Sequence, residues 1–135
     1  MRSSESESWQ DVSGGRVDPT QIYRYRHSDG SGRSIAIFFY DGPLSKGIAF
    51  EGALGSSQGF LHSMRRGEGS GPLVMVATDG ESYGHHFHFG DRTLAHALDV
   101  LASEQHLGFT HPAAVLAHHE PTHDVEIDHG PDGLG

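Results

Sequence analysis

The sequence contains no cysteine, and its 9 basic residues are outnumbered by 18 acidic ones. The absence of cysteine excludes disulfides, thiol nucleophiles and thiolate metal ligands, and it fits a reducing compartment. The formal net charge of -9 disfavours partners such as nucleic acids and anionic lipid surfaces, because they are negatively charged as well. The 12 histidines change this balance only at acidic pH.

Long apolar runs are also missing. No run approaches the roughly 20 residues that span a bilayer, and the first ten residues lack the apolar segment of a signal peptide. Only 35% of the 135 residues are hydrophobic, whereas 19 are glycine. We therefore expect a cytoplasmic chain with one modest domain and no membrane partner.

The first 32 residues differ in composition from the rest. Ser, Glu and Gly surround the single Trp9, and such a segment buries too little apolar surface to offset its ordering entropy. The alternating residues 21–27 favour an edge strand. We expect a flexible tail or linker over residues 1–32 and a disordered tail over the glycine-rich residues 129–135.

Two apolar runs, residues 33–42 and 73–78, have the length and composition of strands buried on both faces, as in a parallel sheet. Ser45 is a candidate N-cap for the helical pattern that follows the first run. The alternation of strands and helices over residues 33–128 predicts an α/β fold with parallel strands. Helices are predicted over residues 46–54, 56–66, 91–106 and 112–119, and a last strand over residues 124–127.

Both predicted strands end in an aspartate, Asp41 and Asp79. Functional side chains of parallel α/β folds gather at the carboxyl ends of the strands. An aspartate at this position also commonly caps a helix or forms an Asx turn, so both interpretations stay open for Asp41.

The stretch ATDGESYGHHFHFGD, residues 77–91, is the most crowded in acidic and histidine side chains. A metal site is one interpretation, because imidazole with carboxylate suits zinc or non-haem iron. The histidines lack a helical i, i+4 spacing, which weakens the metal interpretation. The simplest alternative is a polar loop with a structural histidine cluster. The candidate metal ligands would be Asp79, Glu81, His85, His86 and His88.

Acid/base chemistry is the third interpretation of this stretch. Asp79 and Glu81 are two residues apart, so they share a face if the strand continues through them. Two carboxyl groups facing one substrate are what glycoside hydrolysis requires. The side chains that would line up after them are Tyr83, His85 and Phe87.

Three segments carry a resemblance to a known family. Residues 77–98, ATDGESYGHHFHFGDRTLAHAL, resemble the fourth sequence region of family 57 glycoside hydrolases, in which a strand delivers an Asp-x-Glu pair followed by an aromatic residue and Gly-His. Residues 35–54 resemble the segment before it, in which a strand ends in Asp and a Leu-Ser pair opens the next helix. Residues 121–127, PTHDVEI, are similar to the end of this region in a branch that carries a domain of unknown function.

The resemblance implies a retaining enzyme of α-amylase or 4-α-glucanotransferase type, without cofactor or metal, on an incomplete seven-stranded (β/α) barrel. Asp79 matches the general acid/base of the family. His86 departs from the aromatic residue that many members have after Gly-His, which affects substrate preference. The residues that the resemblance assigns to substrate binding are Glu81, Tyr83, His85, His86 and Asp41.

The catalytic nucleophile of the family has no counterpart in this chain. A retaining mechanism needs a second carboxylate about 5 Å from the first, and the family supplies a Glu in a Trp-x-Pro-Glu-like stretch upstream. Trp9 is followed by no such stretch, and Glu51 lies in a predicted helix on the outside of the barrel. We expect a barrel fragment that holds the acid/base half of a site for an α-glucan or oligosaccharide, with the missing N-terminal part of the barrel as partner. The alternative is a non-catalytic remnant or a weak carbohydrate-binding module.

Overall fold

The computed structural model describes residues 1–3, 8–67, 69–104 and 108–127. In this part of the chain three strands come first, the helices follow and a last strand comes after them, and this combination of strands and helices confirms the predicted α/β class. The strands are β1 (Arg2–Ser3), β2 (Ile22–Arg26), β3 (Ser34–Phe38) and β4 (His123–Asp124). The α-helices are α1 (Gly42–Phe50), α2 (Ser57–Arg66), α3 (Gly90–Ser103) and α4 (Pro112–Leu116), and two 3₁₀ helices cover Ala53–Gly55 and Gly80–Tyr83.

The sheet is mixed, with the order β1-β4-β2-β3. Only β2 and β4 are parallel, whereas β2 pairs with β3 and β1 with β4 in antiparallel orientation. The prediction of a parallel sheet is therefore wrong for two of the three pairs. The antiparallel pairing of β2 and β3 is caused by the short turn between them. In this turn Gly30 and Gly32 have positive φ, and the His27 amide donates to the carbonyl of Arg33 at 2.9 Å.

The segment predicted as a flexible tail contributes to the sheet. β2 lies between β3 and β4 rather than at an edge, and its residues Ile22 and Tyr23 are buried, with 2% and 0% of their surface exposed. The prediction for residues 1–32 is thus corrected at β1 and β2, because both strands pair with β4 and the first two residues of β2 are covered. The tail predicted over residues 129–135 lies outside the described residues.

The carboxylate of Asp124 holds β1 against the sheet. It is 7% exposed, and its Oδ2 accepts hydrogen bonds from Arg2 at 3.0 Å and Arg26 at 3.4 Å. Burial alone would raise the pKa of this carboxyl, but the hydrogen bonds and charges of the two arginines outweigh it and lower the pKa. Asp124 is therefore ionised at neutral pH and connects three strands.

A second polar network starts at Tyr23. Its hydroxyl donates to the backbone carbonyl of Asp18 at 2.9 Å and accepts from the Asp18 amide at 3.1 Å, while burial raises the pKa of the phenol. The Asp18 carboxylate accepts from the hydroxyls of Thr20 at 2.6 Å and Ser70 at 3.0 Å. Burial opposes ionisation of Asp18, yet these donors lower its pKa. The Thr20 Oγ1 in turn accepts from the Gly71 amide at 2.9 Å, so the sheet is tied to the loop after α2.

Residues 73–78, predicted as the second buried strand, do not form a strand. The Met75 carbonyl accepts from the Asp41 amide at 2.8 Å, and the Ala77 amide donates to the Ser45 hydroxyl at 3.2 Å. The segment is therefore linked to the start of α1 and to the residue before it, and not to a strand of the sheet. One backbone hydrogen bond does not make a ladder, which is why no strand is formed.

Helix α1 begins earlier than predicted, because Asp41 rather than Ser45 is its N-cap. The Asp41 carboxylate accepts from the Leu44 amide at 2.9 Å, whereas Ser45 is buried in the first turn. The helix ends at Phe50, since Gly52 has a φ of 80° and starts the first 3₁₀ helix. The predicted helices over α2 and most of α3 are confirmed, because their amphipathic spacing is regular.

The buried apolar side chains form a helical core between α1, α2 and α3. Residues of the sheet are buried separately, and the outer strand β3 leaves Ile35 62% exposed, which corrects the prediction that β3 is covered on both faces. The helical core consists of Leu44, Ile48, Leu54, Phe60, Leu61, Ala97 and Leu101. The buried apolar residues outside this core are Ile22, Tyr23, Val115 and Val125.

Replacing Gly71 by Ala should destabilise the protein. A Cβ at this position would lie 1.7 Å from the carbonyl oxygen of Thr20, so the backbone of one of the two segments must shift. This shift would also disturb the hydrogen bond from the Gly71 amide to the Thr20 hydroxyl. We expect a loss of about 1–3 kcal/mol in the free energy of unfolding, measured by chemical denaturation. Gly55→Ala is the matched control, since nothing lies within 4 Å of its Cβ position. Equal stabilities of the two variants would contradict the described contact.

Replacing Asp124 by Asn should destabilise the protein at neutral pH by about 1–3 kcal/mol, because Arg2 and Arg26 lose their charged acceptor. The folded-state pKa of Asp124 lies below the unfolded value of about 3.9, so its contribution is present above that pH and is lost as the pH falls through the folded pKa. The stability difference between the two proteins should therefore shrink below about pH 4. The exposed Asp99→Asn variant is the control; a difference for Asp124→Asn that does not depend on pH would contradict the ion pairs.

Candidate functional site

The residues after the segment 73–78 form a compact turn, here called the acid–histidine turn (residues 79–88). Asp79 precedes the 3₁₀ helix Gly80–Tyr83, and its carbonyl accepts from the Ser82 amide at 3.1 Å. The carbonyl of Glu81 accepts from the amides of both His85 and His86 at 3.0 Å. The backbone of the turn is thus held by its own hydrogen bonds.

The 3₁₀ helix changes how the two acids are arranged. Asp79 and Glu81 were expected to share a face of a continuing strand, but the backbone has about three residues per turn from Gly80 onward. Both residues are exposed, and the Asp79 carboxylate makes no capping hydrogen bond to the helix. Strand alternation therefore does not bring these two carboxylates together.

Tyr83 fixes the turn to the rest of the protein. Its hydroxyl and that of Thr78 share a hydrogen bond of 2.8 Å, and its half-buried ring packs on the helical core together with Phe87. The expectation that Tyr83 shapes a substrate pocket is untested. The described contacts give its side chain a structural role.

A glycine lies where the turn meets α3. Gly90 is buried, and a Cβ there would lie 3.2 Å from the Ser82 carbonyl oxygen and 3.2 Å from the Tyr83 Cα. A residue with a side chain would therefore make a tight contact with the backbone of the 3₁₀ helix. The start of α3 is therefore part of the same surface as the turn.

The exposed side of the turn carries one acidic and two imidazole side chains that are near one another. A Glu81 Oε2 and the His86 Nε2 are 3.7 Å apart, with 75% and 53% of the side chains exposed. The rings of His85 and His86 are in edge contact, with centroids 5.1 Å apart. Solvent screens such a pair, so it adds little to stability and its hydrogen-bonding groups are accessible to a ligand.

The other sequence candidates are placed differently. Asp41 caps α1, which is the structural interpretation left open for it. Glu51, considered as a substitute nucleophile, lies after α1 and pairs with Lys46 at 2.9 Å. No group of three or more acidic or histidine side chains suitable for a metal ion is found within the described ranges, so the metal alternative has no geometric support.

Sequence reasoning did not single out Phe89 and Arg92, which lie at the start of α3. Phe89 is 65% exposed, and the guanidinium carbon of Arg92 lies over its ring at 5.0 Å. Their i, i+3 spacing was the available signal, because it places two side chains on the same face of a helix. The left-handed backbone of Phe89 leaves no such signal in the sequence.

Two surface clefts lie elsewhere, and no residue of the acid–histidine turn lines either of them. An apolar cleft of about 480 Å³ is bordered by Val74, Leu101 and Phe109. A more polar cleft of about 510 Å³ is bordered by His118 and Glu120. The turn itself is therefore an open surface rather than a wall of these clefts.

No protein-family model, no curated protein and no solved structure matches this chain. Among the described residues, no helix has both the length and the apolar character needed to cross a membrane. The functional interpretation thus depends on the side chains of the turn and on the resemblance of the sequence.

Proposed function

We propose that the acid–histidine turn binds the hydroxyl groups of an α-glucan, and that the chain is the acid/base half of a family 57-like glycoside hydrolase or transferase. The observation that carries this proposal is the exposed cluster of Glu81, His85 and His86 on a turn that is clamped to the helical core. The chain by itself binds the glucan and does not cleave it.

The chemistry of the cluster suits a neutral polyhydroxylated ligand. A sugar hydroxyl both donates and accepts hydrogen bonds, an ionised carboxylate accepts them, and a neutral imidazole does both. Glu81 can accept a hydrogen bond from one sugar hydroxyl while His86 forms a hydrogen bond with the adjacent hydroxyl, because the polar atoms of the two side chains are 3.7 Å apart. The fixed backbone lowers the entropy that must be lost when the ligand binds.

Catalysis needs more than the described residues provide. In this proposal Asp79 protonates the departing glycosidic oxygen and later activates water or an acceptor sugar, whereas the nucleophile comes from the missing N-terminal part of the barrel. The hydrogen bond between Asp41 and Met75 is compatible with a barrel fragment, since it brings two apolar segments together across the helices α1 and α2. A cytoplasmic location is part of the same proposal and is supported by the absence of cysteine.

A non-catalytic carbohydrate-binding module is the second candidate. It is favoured by the open position of the turn, because neither described cleft includes it. Enzymes that act on small ligands usually enclose them in a cleft, whereas a binding module can use an exposed surface. The two candidates share the glucan-binding turn and differ in the role of Asp79.

The isolated chain should bind maltoheptaose and release no reducing sugar from it or from amylose. Amide resonances of residues 79–92 should shift on titration, and Glu81→Gln should weaken binding by roughly tenfold, the size expected for a hydrogen bond to a charged group. Glu120→Gln is the matched control, because this exposed glutamate borders the polar cleft instead. Absence of binding to the unaltered chain would refute the proposed function.

Asp79 is tested in a fused chain that supplies the missing barrel strands and their Glu nucleophile from a family 57 enzyme. Asp79→Asn keeps the size of the side chain and removes its proton, so both steps of the retaining reaction should slow, by ~10²–10⁴-fold. Azide should partly restore the second step, because it attacks the glycosyl-enzyme without a base. Full activity of this variant, together with a loss of activity in Glu81→Gln that azide partly restores, would exchange the roles of the two acids. An active fusion in which neither acid matters would favour the binding module.

A further inference from the structure

Phe89 is the one residue other than glycine with a positive φ in the part of the chain that the structure describes, at 64°. The left-handed region is disfavoured for residues with a Cβ, and bulky side chains are outliers there. Such conformations persist only where the surroundings enforce them, and they concentrate at ligand-binding positions. Glycine or asparagine would fit this backbone with less strain.

Packing does not explain the choice of phenylalanine at this position. The residue is 65% exposed, so most of its ring surface is not used to fill the core. Its carbonyl accepts from the amides of Arg92 and Thr93 at 3.1 Å each, which holds its backbone at the start of α3. The backbone carbonyl would make the same hydrogen bonds with any side chain at position 89.

The sequence places its glycine one residue later, and the reason is steric. Gly90 lies against the backbone of Ser82 and Tyr83, where a Cβ would be 3.2 Å from each. Phe89 directly follows the acid–histidine turn in the chain. An exposed aromatic ring on a strained backbone is thus next in sequence to the turn that carries the exposed Glu81 and His86.

We propose that Phe89, supported by Arg92, is the stacking platform on which a pyranose ring of the ligand lies. This inference rests on the proposed glucan-binding function and adds the residue that recognises the apolar face of the sugar. The face of an aromatic ring is electronegative and attracts the C–H groups of a pyranose, which carry a partial positive charge. Arg92 lies over one face of the ring at 5.0 Å, so the sugar stacks on the other. The hydroxyls at the rim of the stacked ring are bound by Glu81 and His86.

The test measures maltoheptaose binding and thermal stability in single variants of the full chain. Phe89→Ala should weaken binding by roughly tenfold, whereas Phe89→Trp should retain it, because an aromatic face remains. Phe89→Gly should also lose binding while melting at the same temperature or a few degrees higher, because the strain is relieved. Phe109→Ala is the matched control: this residue is 55% exposed and borders the apolar cleft beside Leu101, at the opposite end of α3.

The possible failures are distinguishable. If the unaltered chain binds maltoheptaose and Glu81→Gln weakens binding while Phe89→Ala does not, the platform is refuted and the proposed function stands. If the unaltered chain binds no glucan, both are refuted. A large drop in the melting temperature of Phe89→Gly would show that the ring is needed for folding, which also overturns the inference.

Discussion

The carboxylate of Asp18 is the constraint that connects the sheet to the candidate site. It accepts hydrogen bonds from Thr20, which precedes β2, and from Ser70, which precedes the segment 73–78. Its backbone is in turn held by the buried hydroxyl of Tyr23. The acid–histidine turn follows this segment directly, so the network around one ionised side chain ties the approach to the turn to the sheet, while Tyr83 and Phe87 hold the turn itself on the helical core. The lowered pKa of Asp18 shows that the donors stabilise the charged form more than burial disfavours it.

Polar connections matter here because the apolar contacts are divided. The helical core lies between α1, α2 and α3, whereas Ile22, Tyr23, Val115 and Val125 are buried outside it. A chain with 35% hydrophobic residues has little apolar surface with which to join the two groups. Directional bonds, such as those of Asp18 and the pair of Asp41 and Met75, define the relative position of sheet and helices instead. Close backbone packing at Gly71 serves the same purpose.

Helices α2 and α3 could be predicted because their apolar spacing has a helical period, and this signal depends on local sequence alone. The strand predicted over residues 73–78 failed because a strand requires a partner, and an apolar run does not show whether one is present. Tyr23 was assigned to a tail because its burial comes from distant contacts, with Phe39 and His123 among them. In the candidate site, the exposure of Glu81 and His86 agrees with their polarity, whereas the strained backbone of Phe89 comes from the junction with Gly90 and has no sequence signature.

The acidic residues of the protein include two physically different groups. Asp18, Asp41 and Asp124 each accept hydrogen bonds from defined donors within the protein. Within the part of the chain that the structure describes, the Glu81 side chain has only the screened contact with His86, and Asp79 makes no capping bond to the helix that follows it. A carboxylate that is already satisfied has few lone pairs left for a ligand, whereas an exposed one exchanges water for ligand hydroxyls at small cost. The carboxylates available to a ligand, Asp79 and Glu81, are therefore those that contribute least to the fold. They lie on the same turn, whose backbone is held by its own hydrogen bonds.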